Sequence, residues 1–148
     1  MKVRYIIILM CLLLTNTVIA QNKEKGKLCK INEELIVGTW KLDTIYLKEN
    51  VQFGDYYYLY EKKFNELRDS SFFVFNANYE YKKITKSEVS TGTWEISPDG
   101  TRITIKTDNN NTEDKSRILE LNEKILMMNP LSEGSSNSKV ILKRQENQ

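Results

Sequence analysis

Any chemistry in this chain would have to come from carboxylates and aromatic rings. Its 148 residues include no histidine, which removes the commonest general base, the commonest metal ligand and any Ser–His or Cys–His nucleophile pair. Of its two cysteines, Cys11 lies in an apolar run near the N-terminus, leaving Cys29 alone in the rest of the chain. Neither an intrachain disulfide nor a structural zinc site is expected. Asp108, Glu113 and Asp114 fall close together and could offer oxygen ligands to calcium, but their spacing fits no calcium loop, and a solvated loop is the expectation. The glycines are isolated, with no phosphate cradle among them. No two acids are fixed in space by spacing alone. The expectation is therefore a protein without catalytic residues, metal or cofactor.

The aromatic residues point instead to binding. There are eight tyrosines, five phenylalanines and two tryptophans. Tyr46, Phe73, Phe75, Tyr79 and Tyr81, with Trp40 and Trp94, fall on strand faces assigned to an interior, and Tyr56 and Tyr60 belong to a tyrosine-rich segment able to cover it. Tyr46, Tyr56, Tyr60, Phe73, Phe75, Tyr79 and Tyr81 are thus the candidate ligand-lining set, because tyrosine offers apolar area with a polar tip. Large inward side chains also consume the volume a ligand needs. A solid core and a cavity for one small apolar or amphipathic molecule are both compatible with the pattern. Tyr56, Tyr57, Tyr58 and Tyr60 exceed what one helix face can bury, so this segment either plugs a mouth of the fold or docks on a partner or a second copy. Cys29 is either a half-buried small residue or an exposed thiol that pairs two chains.

The elements that must position these residues begin after a leader. Met1–Ala20 reads as a secretory signal: Lys2 and Arg4 are followed by the apolar run Ile6–Leu14 and by Val18-Ile19-Ala20 as a cleavage site. The run is short for a membrane span, which needs about 20 apolar residues. Cleavage and a secreted or periplasmic location are expected, with anchoring the less favoured outcome. The leader holds two of the 22 basic residues and none of the 20 acidic ones, so the chain beyond it is formally neutral. No basic stripe for nucleic acid survives. The remaining chain suits a single domain: a flexible segment over 21–30, a folded domain over 31–144 and a frayed tail over 145–148.

Within that domain Asn32 can cap a short helical turn through Glu33-Glu34-Leu35. Thr39–Lys48 alternates as a strand, with Trp40, Leu42, Thr44 and Tyr46 on its inner face and Lys41, Asp43, Ile45 and Leu47 on its outer face. Tyr56, Tyr60, Phe64 and Leu67 carry helical spacing, and an amphipathic helix is expected over Asp55–Asp69, although the tyrosine run also alternates as a strand. Short strands come next: Phe72–Phe75 and Tyr79–Ile84 around an Asn76-Ala77-Asn78 turn, and Glu88–Ile96 and Thr101–Lys106 around Ser97-Pro98-Asp99-Gly100. Thr107–Lys115 is read as a polar loop. Arg117–Leu121, Lys124–Met128 and Val140–Lys143 complete the series. About eight strands with short connections predict a closed antiparallel up-and-down barrel, with a two-sheet sandwich as the alternative.

Taken together, Ile36-Val37-Gly38-Thr39-Trp40-Lys41-Leu42, Phe73-Val74-Phe75, Ser90-Thr91-Gly92-Thr93-Trp94-Glu95-Ile96, Ile118–Leu121 and Ile125–Met128 resemble the bacterial lipocalin-like domain family, small secreted or envelope-associated proteins, many of them from Bacteroidetes. The resemblance covers roughly Glu33–Arg144. It implies an eight-stranded lipocalin-like barrel in which Gly38 and Trp40 close one end, with a basic residue of the last strand, Lys143 or Arg144, against the indole. Gly38, Trp40, Trp94 and Arg144 are the barrel-closing set. The expected function is non-catalytic binding of a small apolar or amphipathic ligand; the alternative is a packed barrel acting as a cell-envelope interaction module, self-associating through Tyr56–Tyr60 or Cys29.

Overall fold

The computed structural model describes residues 24, 26–46, 57–109, 111–131 and 138–146. The leader, Asp55 and Tyr56 lie outside them, as do the side chains of Tyr57–Glu61. Helix α1 covers residues 26–36, and strand β1 runs Gly38–Tyr46. Helix α2, Tyr57–Ser70, fills most of the segment with helical spacing. It leads into β2 (Phe72–Phe75), β3 (Glu80–Ile84), β4 (Val89–Ile96), β5 (Arg102–Thr107), β6 (Thr112–Leu121), β7 (Ile125–Pro130) and β8 (Lys139–Arg144). Each strand pairs with its neighbours in sequence, and β8 returns to β1, so the eight strands form a closed antiparallel barrel. Closure leaves no sheet edge to template association.

Turn chemistry sets the hairpins. Gly100 takes φ +75° and its N–H donates to Ser97 O at 2.7 Å. The Asp99 carboxylate accepts from the Ser97 hydroxyl at 2.6 Å and from Thr101 N and Oγ1; these three donors hold its pKa far below the usual carboxylate range. In the β2–β3 turn the left-handed residue is Tyr79, φ +65°, and not one of the asparagines. Its ring rests on Trp94, centroids 5.1 Å apart, which offsets a backbone conformation disfavoured for a bulky residue.

Three sequence expectations change. The expected turn at Asn32 is part of a longer helix, and Asn32 does not cap it: its side-chain N–H donates to Gly100 O at 2.8 Å, binding α1 to the β4–β5 turn. Strand β6 begins at Thr112, inside the stretch read as a loop, because its inward positions there are polar. In β1 the pairing with β8 slips between Leu42 and Thr44. That bulge reverses the alternation beyond it, so Ile45 turns into the barrel and Tyr46 turns out, 55% exposed. A bulge puts two residues opposite one, which is how a strand changes faces midway.

The core fills only one half of the barrel. Trp40, Phe75, Trp94, Ile96, Ile103, Leu126 and Leu142 pack there with Ile36 of α1 across the end. The ladder pairs Trp40–Phe73, Phe75–Tyr81, Trp94–Ile105 and Leu126–Leu142 show that these positions share the inner face.

Candidate functional site

The closed end is locked by Arg144. Its guanidinium lies 4.4 Å from the centre of the Trp40 ring and donates to Val37 O at 2.8 Å and to Leu35 O. Trp40 Nε1 donates to Ile36 O at 2.7 Å. Three carbonyls at the C-terminal end of α1, where the helix has no internal donors to offer, are thereby satisfied by two side chains. Gly38 has φ +143°, and a β-carbon there would stand 2.5 Å from Arg144 Nη1, so glycine admits both the backbone turn and the arginine. Of the two basic candidates on β8, Lys143 points outward and bonds Asp43 at 2.8 Å. Trp94 Nε1 donates to Asn76 O at 3.1 Å, tying the second Gly-Thr-Trp to the β2–β3 turn at the same end.

The other half of the barrel is hollow. A cavity of about 660 Å³ lies between the packed core and the mouth, where Leu67 of α2 and Ser71 sit. Apolar groups on its wall include Leu42, Ile45, Phe73, Ile105 and Met128. Hydroxyls and charges gather elsewhere on its wall: Lys83, Ser90, Thr107, Thr112, Asp114 and Ser116. Lys83 Nζ stands 5.9 Å from the Phe73 ring centre. The Tyr81 phenol is buried, and burial, with the Asp114 carboxylate nearby, pushes its pKa up, so it stays protonated and able to donate across the ordinary pH range.

The candidate lining residues separate into groups. Phe73 and Tyr81 line the cavity. Phe75 is 1% exposed in the core beneath it, packed on Tyr81 and Trp94. Tyr79 lines a different, shallow groove of about 390 Å³ at the closed end, together with Trp94, Glu33 and Glu34. Tyr46 faces solvent through the β1 bulge. Tyr56 and the Tyr60 side chain lie outside the described residues. Selecting by aromatic type missed the polar wall of β5 and β6, whose signal was the alternation Thr112, Asp114, Ser116 inside a stretch too polar to read as a strand.

Among the described residues no group of three or more acids or cysteines could hold a metal ion. Asp108 accepts from Thr91 Oγ1 at 3.0 Å and Glu113 pairs with Lys115 at 2.6 Å, so two of the three acids considered for calcium are engaged separately. Cys29 is half-buried against the β4–β5 turn, and burial together with Glu33 pushes its thiol pKa up. No helix among the described residues is long and apolar enough to cross a membrane.

An up-and-down barrel of eight strands, shut at one end by a helix and an arginine–tryptophan contact and hollow at the other, is a lipocalin-like barrel. The chain belongs to the lipocalin-like domain family, whose sequence model matches residues 36–128. Two solved structures share the fold. One is a DUF4847 family protein from Bacteroides vulgatus, 15% identical, with 80% of this chain and 99% of that one covered and a TM-score of 0.56. Another is a protein from Bacteroides uniformis, 23% identical, with 78% and 93% covered and a TM-score of 0.50. A lipocalin-like protein from the same species is 16% identical, with 74% and 98% covered and a TM-score of 0.49. No curated protein matches the chain.

Proposed function

We propose that this protein is a non-catalytic lipocalin-like binder of one small apolar or amphipathic molecule, exported by its leader to the periplasm or the exterior. The observation that carries this reading is the cavity of about 660 Å³ above the packed half of the barrel. It exceeds the roughly 300 Å³ at which ligand pockets begin and combines apolar walls with a few polar groups, as such pockets do. The alternative, a barrel packed solid that serves only as an envelope interaction module, has less support, because half of the interior is not filled. Native mass spectrometry of protein purified from its own source tests the reading. A discrete adduct of small-molecule mass that leaves on activation is the expected result. Bare protein that also fails to bind an apolar fluorescent probe would sink it.

A further inference from the structure

Polar and apolar groups are not scattered round this cavity; they divide it along its length. Lys83 on β3 stands opposite Ser90 on β4, Thr107 on β5 stands opposite Thr112 on β6, and Asp114 and Ser116 continue the inward face of β6. All six line the cavity, from four consecutive strands. The other four strands contribute Met128, Val140, Leu42, Ile45 and Phe73. Met128 pairs with Val140, and Val140 with Ile45, so this apolar wall is continuous across β7, β8 and β1. The β1 bulge completes it by placing Ile45 inside. The exceptions are Ile105 and the ring of Tyr81 deep on the polar side and Ser71, just before β2, on the apolar side.

A flexible head–tail amphiphile calls for a different arrangement, apolar all round and polar only at the mouth. Here the mouth is polar on one side only, with Lys83, Ser90, Thr107 and Thr112 on β3–β6 against Val140, Ile45 and Phe73 on β8, β1 and β2, and β6 carries polarity further in through Asp114 and Ser116. Two further hydroxyl-bearing residues, Tyr81 and Ser71, line the cavity and add hydrogen-bonding capacity to its wall.

Resting on the binding reading above, we infer that the cavity takes a rigid, facially amphipathic molecule: a fused-ring skeleton with hydroxyl groups along one face, set against β3–β6, and hydrocarbon along the other, set against β7–β2. Competition against bound anilinonaphthalene sulfonate tests this with the full chain and three carboxylate probes below their micellar concentrations. Cholate carries its hydroxyls on one face, cholanate has the same skeleton without them, and laurate is a flexible chain. Cholate should compete roughly tenfold or more tightly than either of the others, the worth of one or two well-formed hydrogen bonds. Thr112→Val and Ser116→Ala should shrink that gap while leaving displacement by laurate unchanged; Asp114→Asn replaces either variant if it fails to fold by circular dichroism. If cholanate or laurate competes as well as cholate, if the gap survives the wall variants, or if no probe displaces the reporter, the inference is overturned while the binding reading stands. If the reporter itself does not bind, both fail together.

Discussion

Arg144 shows how much one side chain can decide. Its planar fork of donors reaches two carbonyls of α1 and its following residue while its face covers Trp40, a combination that a lysine, with one compact ammonium, cannot reproduce. The charge also stands where a helix dipole favours a cation. Arg144→Ala is expected to cost about 2–4 kcal/mol, from the lost cation–π contact and the carbonyls left without donors. Arg144→Lys should recover less than half of it. Urea unfolding measures both, and an alanine variant as stable as the parent would refute the assignment. A second residue-scale expectation concerns acid. The hydrogen bond from Lys143 lowers the Asp43 pKa, helped by Thr44 and opposed by burial. A folded-state pKa below the ordinary value of about 3.9 means that this contribution is present at higher pH and is lost as pH falls below that value. Asp43→Asn should therefore melt below the parent at pH 7, and the two melting curves should converge towards pH 3.

Among the elements, β1 does the least regular work. Its bulge predicts opposite outcomes for adjacent residues: Ile45→Ala should destabilise by about 1–3 kcal/mol, whereas Tyr46→Ala should stay within about 0.5 kcal/mol. Equal effects in chemical denaturation would mean that the strand keeps its alternation throughout. The hairpins were legible because Pro98-Asp99-Gly100 and the short apolar runs state their own chemistry. The bulge was not, since alternation read from residue types assumes one unbroken period, and a single slip exchanges every later position. The only hint was Ile45 and Leu47 on a face otherwise charged. The start of β6 was hidden for a related reason: a strand that lines a wet cavity is polar on both faces and resembles a loop. The full length of helix α1 was hidden because its anchor, the Asn32 bond to Gly100, joins residues 68 apart.

The whole molecule divides into a solid half and a hollow half, and the two should respond differently to mutation. Leu126 is fully buried in the solid half, and Leu126→Ala should cost about 2–5 kcal/mol. Val140 borders the cavity, so Val140→Trp has room for its ring; it should keep the fold within about 1.5 kcal/mol while abolishing probe binding. Thermal melts and fluorescence titration of the two variants separate stability from capacity, and a tryptophan variant that unfolds would show that the cavity is not available space. Aromatic residue types announced the barrel as a whole but could not announce this division, because Phe75 and Phe73, two residues apart on the same face, fall on opposite sides of it.

Helix α1 and the end of β8 meet at the shut end, where Gln145 N donates to Thr39 O at 2.8 Å and residues 28 and 29 lie against Gly100. The two described extremities of the chain therefore leave from the same side, opposite the mouth. A molecule held by either extremity turns its opening away from whatever holds it. Fusion partners, purification handles and surface linkers placed there leave the route into the cavity clear, and attachments at the α2 end would stand in it.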